Sequence, residues 1–140
     1  MAETDMGGSS GAMYSLLFEA AAVQLEQSTK ITPVQVGTAF SLGLSAMMKY
    51  GGAQEGDRTM IDALAPALNK YQSLLNYMHE PMEALENATK AAEEGAKATL
   101  KMKASAGRAS YVPDSELKHP DPGAHAIGIV MRSIYNSFIL

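Results

Sequence analysis

The apolar residues of this chain recur at steps of three and four over most of its length. One segment carries Val36, Phe40, Gly43, Met47 and Tyr50 at alternating steps of four and three, which places them on one face of an α-helix. An alternating strand pattern never runs longer than about four residues. The sequence therefore predicts an all-α protein, an antiparallel bundle or barrel of helices that each bury one apolar stripe.

Residues that start and stop helices divide the chain into five predicted helices. Thr32 with Pro33 marks one start and Gly51 with Gly52 the matching end, because a hydroxyl caps free N–H groups and glycine adopts the left-handed conformation after a helix. The predicted helices run from Ala12 to about Glu26, from Pro33 to Gly51, from near Thr59 to Tyr77 with a bend at Pro66, from Met82 to about Lys103, and from Pro122, capped by Asp121, to the chain end.

The last two predicted helices have clear apolar and charged faces. The fourth carries on one stripe Leu85, Ala88, Ala92, Gly95, Thr99 and Met102, and on the opposite, solvated face the ion pairs Glu86–Lys90 and Glu93–Lys97. The fifth is expected to bury Ala124, Ile127, Met131, Ile134 and Phe138.

Length and composition exclude several classes of protein. The chain has 140 residues, the size of one domain over residues 1–140, and a net charge of −4, so it lacks the basic field that attracts nucleic acid. It has no cysteine, which excludes disulfides and thiolate chemistry. No apolar run approaches the ~18 residues of a membrane span. We expect no nucleic-acid or membrane partner and a cytoplasmic location.

Three parts of the sequence combine small residues, a potential capping group and a helix start. They are residues 7–11, residues 56–60, and the segments 107–111 and 120–123 taken together. Free N–H groups at a helix start carry positive partial charge and favour anions. Arg108 would neutralise a phosphate, and Met60 would lie against a flat apolar ring such as a purine.

Each of these segments also has an ordinary structural interpretation. Residues 7–11 are typical of a helix capped by serine, Asp57 or Thr59 would cap a helix beside a core methionine, and Arg108 would be a surface arginine. The histidines at 79, 119 and 125 lack metal-ligand spacing, and no Walker A or nucleophile motif occurs. Taken singly, the segments leave the function open.

Taken in chain order, the same segments resemble the nucleotide-binding domain of dihydroxyacetone (glycerone) kinases. The resemblance rests on Met6-Gly7-Gly8-Ser9-Ser10-Gly11-Ala12, Tyr50-Gly51, Gly56-Asp57-Arg58-Thr59-Met60-Ile61-Asp62-Ala63-Leu64, Gly107-Arg108-Ala109-Ser110-Tyr111-Val112 and Pro120-Asp121-Pro122-Gly123-Ala124. It extends from about Met6 to about Ile134. Arg58 and the Gly-Arg-Ala-Ser-Tyr-Val run are closer to the single-chain ATP-dependent kinases than to the bacterial subunit that retains ADP.

The resemblance implies a barrel of eight antiparallel helices, of which this chain would hold the later ones, and a loop-lined site for ATP or ADP with two Mg²⁺ ions. It implies that Gly8, Ser9 and Ser10 contact phosphate, that Gly51, Thr59 and Met60 lie near adenine and ribose, that Arg108 meets phosphate charge, and that Asp121, Pro122 and Gly123 close the site. It assigns this sequence no catalytic residue.

Two features of the family are absent from this sequence. The aspartates that hold Mg²⁺ in the family, a D-x4-GDGD motif, are not found, and Asp5 is a lone acid; the opening helices are missing as well. The resemblance therefore implies a partial, N-terminally truncated domain without metal ligands. Leu16, Leu17 and Phe18 are then expected to lack partners and to favour a homo-oligomer or a complementing chain.

Two hypotheses of different classes follow. In the first, the chain is the nucleotide-binding part of a kinase that transfers the γ-phosphate of ATP to dihydroxyacetone held by a separate domain or subunit. In the second, it is a catalytically inactive relative that serves as a binding, oligomerisation or regulatory module. The resemblance leaves FAD cyclisation, an activity of some animal relatives, open for the parent protein of the first hypothesis.

Overall fold

The computed structural model describes residues 8–102 and 119–139, apart from the side chains of residues 8–10, and every regular element in these ranges is helical. The elements are α1 (Gly8–Glu26), α2 (Pro33–Gly51), α3 (Ile61–Asn76), α4 (Pro81–Ala98), a 3₁₀ turn (Thr99–Lys101) and α5 (Pro122–Ile139). The all-α prediction is confirmed. None of the described helices is long and apolar enough to span a membrane.

The helices form two compact units, residues 1–53 and residues 54–140. In the first unit α1 packs against α2, and in the second α4 packs against both α3 and α5. Contacts such as Leu17 with Gly43 and Met13 with Gly51 make α1 and α2 antiparallel neighbours. The prediction of one domain over the whole chain stays a prediction.

Both predicted ends of α2 are confirmed. The Thr32 hydroxyl accepts a hydrogen bond from the Gln35 N–H at 3.3 Å, and the Gln35 side chain accepts one from the Thr32 N–H at 3.1 Å, which completes a capping box. At the other end Gly52 has φ +73° and its N–H donates to the Met48 carbonyl. These interactions are local, which explains why the sequence alone predicted both ends of the helix.

Two predictions for α1 are wrong. The helix begins at Gly8 rather than Ala12, so Ser9 and Ser10 lie in its first turn and do not form a turn before it. The first-turn N–H groups have no helical partner in any case, so glycine and serine are tolerated there. Leu17 is buried rather than unpartnered, because Gly43 brings α2 close to its backbone, whereas Phe18 is 51% exposed.

A close contact fixes α3 on α4. A Cβ added to Gly95 would overlap the carbonyl oxygen of Asp62, so only glycine fits there. The same oxygen is the one that Pro66, which has no N–H, leaves without its usual helical donor. The helix nevertheless continues through Pro66 from Ile61 to Asn76. The approach of Gly95 supplies a packing partner for this carbonyl.

Three predictions for α4 and α5 are corrected. The α-helix α4 ends at Ala98, and Thr99–Lys101 form a 3₁₀ turn instead of a continuation to Lys103. Glu86 pairs with Lys90 at 3.4 Å as predicted, but Glu93 binds Arg132 of α5, at 2.6 and 3.0 Å, rather than Lys97. In α5 Ala124, Ile127 and Gly128 are buried, whereas Ile134 and Phe138, which follow the contacts of α4 with Met131 and Arg132, are 46% and 66% exposed.

Candidate functional site

The loop before α3 is held by the carboxylate of Asp62. One carboxylate oxygen accepts from the N–H of Gly56 at 2.6 Å, and the other accepts from the N–H of Thr59 at 2.9 Å. Gly56 has φ +96°, a conformation that favours glycine. Asp62 thus folds residues 56–59 over the start of its own helix. The sequence analysis assigned Asp62 no such role.

Thr59, one of the two predicted caps, precedes the cap position of α3, which is Met60. The Thr59 hydroxyl nevertheless accepts a hydrogen bond from the N–H of Ile61, the first residue of the helix, at 3.1 Å. The other candidate, Asp57, instead accepts from the Gln54 N–H at 3.0 Å and closes a separate turn, so that part of the prediction is wrong. Carboxylate caps bind whichever free amide lies nearest, and the turn at residues 54–57 supplies one.

Arg58 occupies the centre of this region. It is 3% exposed and has φ +63°, a backbone conformation uncommon for a residue with a side chain. Its Nε donates to the carbonyl of Thr99 at 3.1 Å. Its Nη2 donates to the carbonyl of His119 at 2.5 Å, and its Nη1 lies 3.8 Å from the carboxylate of Asp121. The guanidinium therefore connects the loop before α3 with the turn after α4 and the start of α5.

Asp121 caps α5, as predicted. Its carboxylate accepts from the Ala124 N–H at 3.0 Å, and its own N–H donates to the Thr99 hydroxyl at 2.8 Å. Burial raises the pKa of the Asp121 carboxyl, while the hydrogen bond from Ala124 and the charge of Arg58 act in the opposite direction. Arg58 and the helix start therefore favour the ionised form of a carboxylate that burial disfavours.

The starts of α3 and α5 are in direct contact. A Cβ added to Gly123 would lie 3.2 Å from the Asp121 carboxylate and 3.4 Å from the Met60 Cβ. Met60 is buried, so in this structure its side chain packs on Gly123. Of the predicted nucleotide residues, the second unit thus brings together Thr59, Met60, Asp121, Pro122 and Gly123.

The predicted residues of the first unit form a separate group. Gly8, Ser9 and Ser10 make up the first turn of α1, and Gly51 is the last residue of α2. A Cβ on Gly51 would lie 3.6 Å from Met13 in the second turn of α1, so the start of α1 and the end of α2 are neighbours. Their contact with a ligand stays a prediction.

Arg108 and the rest of segment 107–112 lie outside the described residues. His79, His119 and His125 are exposed, and His79, two residues before α4, lies 3.2 Å from Glu83 in the first turn of that helix. Within residues 8–102 and 119–139, no three histidine, aspartate or glutamate side chains are grouped so that they could hold a metal ion.

Comparison with known proteins identifies the family. The sequence matches the DAK2 domain over residues 1–136. The chain belongs to this family. It is 44% identical over 129 residues to human triokinase/FMN cyclase, a match that covers 92% of this chain and 22% of that relative. It is also 44% identical over 134 residues to the dihydroxyacetone kinase of Citrobacter freundii, with 94% and 22% covered.

The fold agrees with solved structures of the C. freundii dihydroxyacetone kinase. The native form superposes with a TM-score of 0.71 at 37% identity, over 97% of this chain and 22% of that one. The complex of that kinase with AMP-PNP and Mg²⁺ gives a TM-score of 0.67 at 40% identity, over 94% and 20%. This DAK2 chain therefore spans about a fifth of the length of the relatives it matches.

Proposed function

We propose that this chain binds ATP or ADP as the nucleotide-binding part of a dihydroxyacetone (glycerone) kinase. One observation supports the proposal most strongly: α3 and α5 start side by side, at the residues that the resemblance assigns to the nucleotide. Each of two helix starts in contact carries positive partial charge, which favours a phosphate or carboxylate nearby. The complex of a related kinase with AMP-PNP and Mg²⁺ agrees with this choice of ligand.

The proposed roles follow the chemistry of each segment. Backbone and hydroxyl groups of the first turn of α1 bind phosphate, and Arg108 neutralises its charge. The end of α2 and the start of α3 lie near adenine and ribose, and the start of α5 closes the site. The assigned residues are Gly8, Ser9, Ser10, Gly51, Thr59, Met60, Arg108, Asp121, Pro122 and Gly123.

The proposed reaction is transfer of the γ-phosphate of ATP to dihydroxyacetone. The acceptor would be bound by a separate domain or subunit, and this chain would contribute by positioning the nucleotide and by neutralising charge as the phosphoryl group moves. No residue of this chain is proposed as a nucleophile. Because one relative is a triokinase/FMN cyclase, FAD cyclisation is a further activity to assay in the whole protein.

Magnesium, which the family implies, does not fit the described residues. The ion prefers several converging carboxylate oxygens. Among the described residues of the second unit, Asp62 and Asp121 are the buried carboxylates, and both already accept backbone N–H groups. We therefore assign no step to Mg²⁺ on this chain and expect its ligands to come from elsewhere.

Calorimetric titration of the full chain with ADP and with AMP-PNP tests the proposal. We expect binding in magnesium-free buffer that weakens about tenfold in Gly123→Ala, because the added Cβ pushes on Met60 and Asp121. Gly128→Ala is the matched control, since the nearest atoms to its Cβ are at 3.6 Å, an ordinary contact. A chain that unfolds cooperatively yet gives no nucleotide heat with or without Mg²⁺ would exclude the kinase function for this chain.

A second candidate function is a binding or oligomerisation module without catalysis. It is favoured by the exposed apolar side chains of the second half of α5, among them Ile134 and Phe138. Sedimentation velocity separates the two candidates. Concentration-dependent self-association that Phe138→Ser abolishes, in a chain that binds no nucleotide, would favour the module.

A further inference from the structure

The buried Arg58 makes contacts that a purely local role does not need. Its φ of +63° is strained for a residue with a Cβ, and such strained residues are concentrated at functional positions. Its guanidinium is almost fully sequestered, with acceptors at Thr99, His119 and Asp121. A side chain so enclosed does not itself reach a ligand in solution, so any effect on a ligand must act through its partners.

All of its partners bear on the start of α5. Thr99, whose carbonyl accepts from Arg58, also holds the Asp121 N–H through its hydroxyl. His119 lies two residues before Asp121. Asp121 uses one carboxylate oxygen for the Ala124 N–H, while the other lies nearest Arg58. Arg58 therefore contacts the residue that caps α5, and these contacts fix the position of the first N–H groups of that helix.

We propose that Arg58 is a positioning residue that places the Asp121-Pro122-Gly123 turn for nucleotide binding. This inference rests on the proposed function, in which the start of α5 closes the nucleotide site. Arg58 touches no nucleotide itself. Its planar fork reaches three acceptors in fixed directions, and the ammonium of lysine cannot reproduce this geometry.

Arg132 provides a matched control on the same helix. It also joins α5 to the rest of the second unit, through two hydrogen bonds to Glu93 on α4, but it lies well beyond the first turn of α5. Removing either arginine loosens α5, and only Arg58 bears on the cap. A merely structural role for Arg58 would make the two variants alike.

The test measures affinity and local opening in the full chain. AMP-PNP is titrated calorimetrically into wild type, Arg58→Gly, Arg58→Lys and Arg132→Ala, and amide hydrogen exchange is followed at Ala124 and His125. Glycine relieves the left-handed backbone, which helps the variant to fold. We expect about tenfold weaker binding and faster exchange at these two amides in Arg58→Gly, no rescue by lysine, and wild-type affinity in Arg132→Ala.

Each result has a defined meaning. If the wild type binds AMP-PNP and a folded Arg58→Gly binds it with the same affinity, this inference is wrong and the proposed function stands. Equal losses in Arg58→Gly and Arg132→Ala also overturn it, because the effect then follows stability. Absence of binding in the wild type removes the proposed function and this inference with it.

Discussion

Two arginines attach α5 to the rest of the second unit in different ways. Arg58 holds the start of the helix from a buried position, with two backbone carbonyls and a carboxylate as partners. Arg132 holds the middle of the helix from a half-exposed position, with Glu93 as its partner and the Tyr135 ring 5.7 Å away. On α5 itself Gly128 lies against Glu93 of α4, whereas the closer contact of Gly95 with Asp62 joins α4 to α3.

We expect the buried contacts of Arg58 to fix the position of the helix start, and the half-exposed pair of Arg132 with Glu93 to add only modest stability. Exposed ion pairs contribute little because water and salt screen them. A buried guanidinium whose partners are removed from water must keep its hydrogen bonds, since an unpaired buried charge is costly. The start of α5 is thus held in one arrangement, while its middle tolerates change. Three predictions test this contrast.

The largest effect is expected from Arg58→Ala. The substitution removes the guanidinium donor from the carbonyls of Thr99 and His119 and the positive charge beside the Asp121 carboxylate, and we expect a loss of about 3 kcal/mol in the free energy of unfolding. Arg58→Gly should retain about 1 kcal/mol of this, because glycine accepts the φ of +63°. Urea unfolding of both variants beside Arg132→Ala measures the difference. Equal losses for Arg58→Ala and Arg132→Ala would contradict the contrast.

A smaller effect is expected at the glycines. Gly95→Ala drives a Cβ into the Asp62 carbonyl and should cost about 1–3 kcal/mol, because neither backbone can move without disturbing the loop that Asp62 holds. Gly128→Ala meets only ordinary contacts and should be neutral or stabilise the helix by up to about 1 kcal/mol. Thermal unfolding followed by circular dichroism compares the two. Destabilisation by both would mean that the middle of α5 is as tightly fixed as the start of α3.

The smallest effect is a pH dependence of opposite sign at the two attachments. The hydrogen bond from Arg132 lowers the pKa of Glu93 below 4.5, so ionised Glu93 stabilises the fold above that pH and the contribution is lost as pH falls through the folded-state pKa. Burial raises the pKa of Asp121 above 3.8, so the protonated form is favoured on folding and this contribution is lost as pH rises through the folded-state pKa.

Two neutral variants measure these contributions. On acidification, the free energy of unfolding that the wild type gains over Glu93→Gln should shrink. Over the same pH change, the free energy of unfolding of the wild type should rise relative to that of Asp121→Asn. Asparagine keeps the helix cap, so Asp121→Asn changes the charge alone. Urea unfolding at neutral and acidic pH checks both. Parallel pH profiles for the two variants would refute the assignment.

Sequence reasoning succeeded where the interacting groups are close along the chain. The N-cap at Thr32, the left-handed Gly52, the cap at Asp121 and the pair Glu86–Lys90 each join residues at most four apart. Part of the candidate site followed from the resemblance, which named the residues now in contact at the starts of α3 and α5. Sequence reasoning did not identify the roles of Asp62, which holds the loop before α3, and Thr99, which binds Arg58 and Asp121, since neither residue stands out by type.

What the sequence by itself determined is therefore the helical class, most helix ends and the family. The tertiary structure alone decided that Arg58 is buried with partners at the start of α5 and that Glu93 pairs with Arg132 rather than Lys97. It also decided that Leu17 is buried while Phe138 is exposed. The physical reason is range: caps and helical pairs depend on a few neighbouring residues. The partner of a buried charge depends instead on tertiary packing, which decides which segments far apart in sequence come within hydrogen-bond distance.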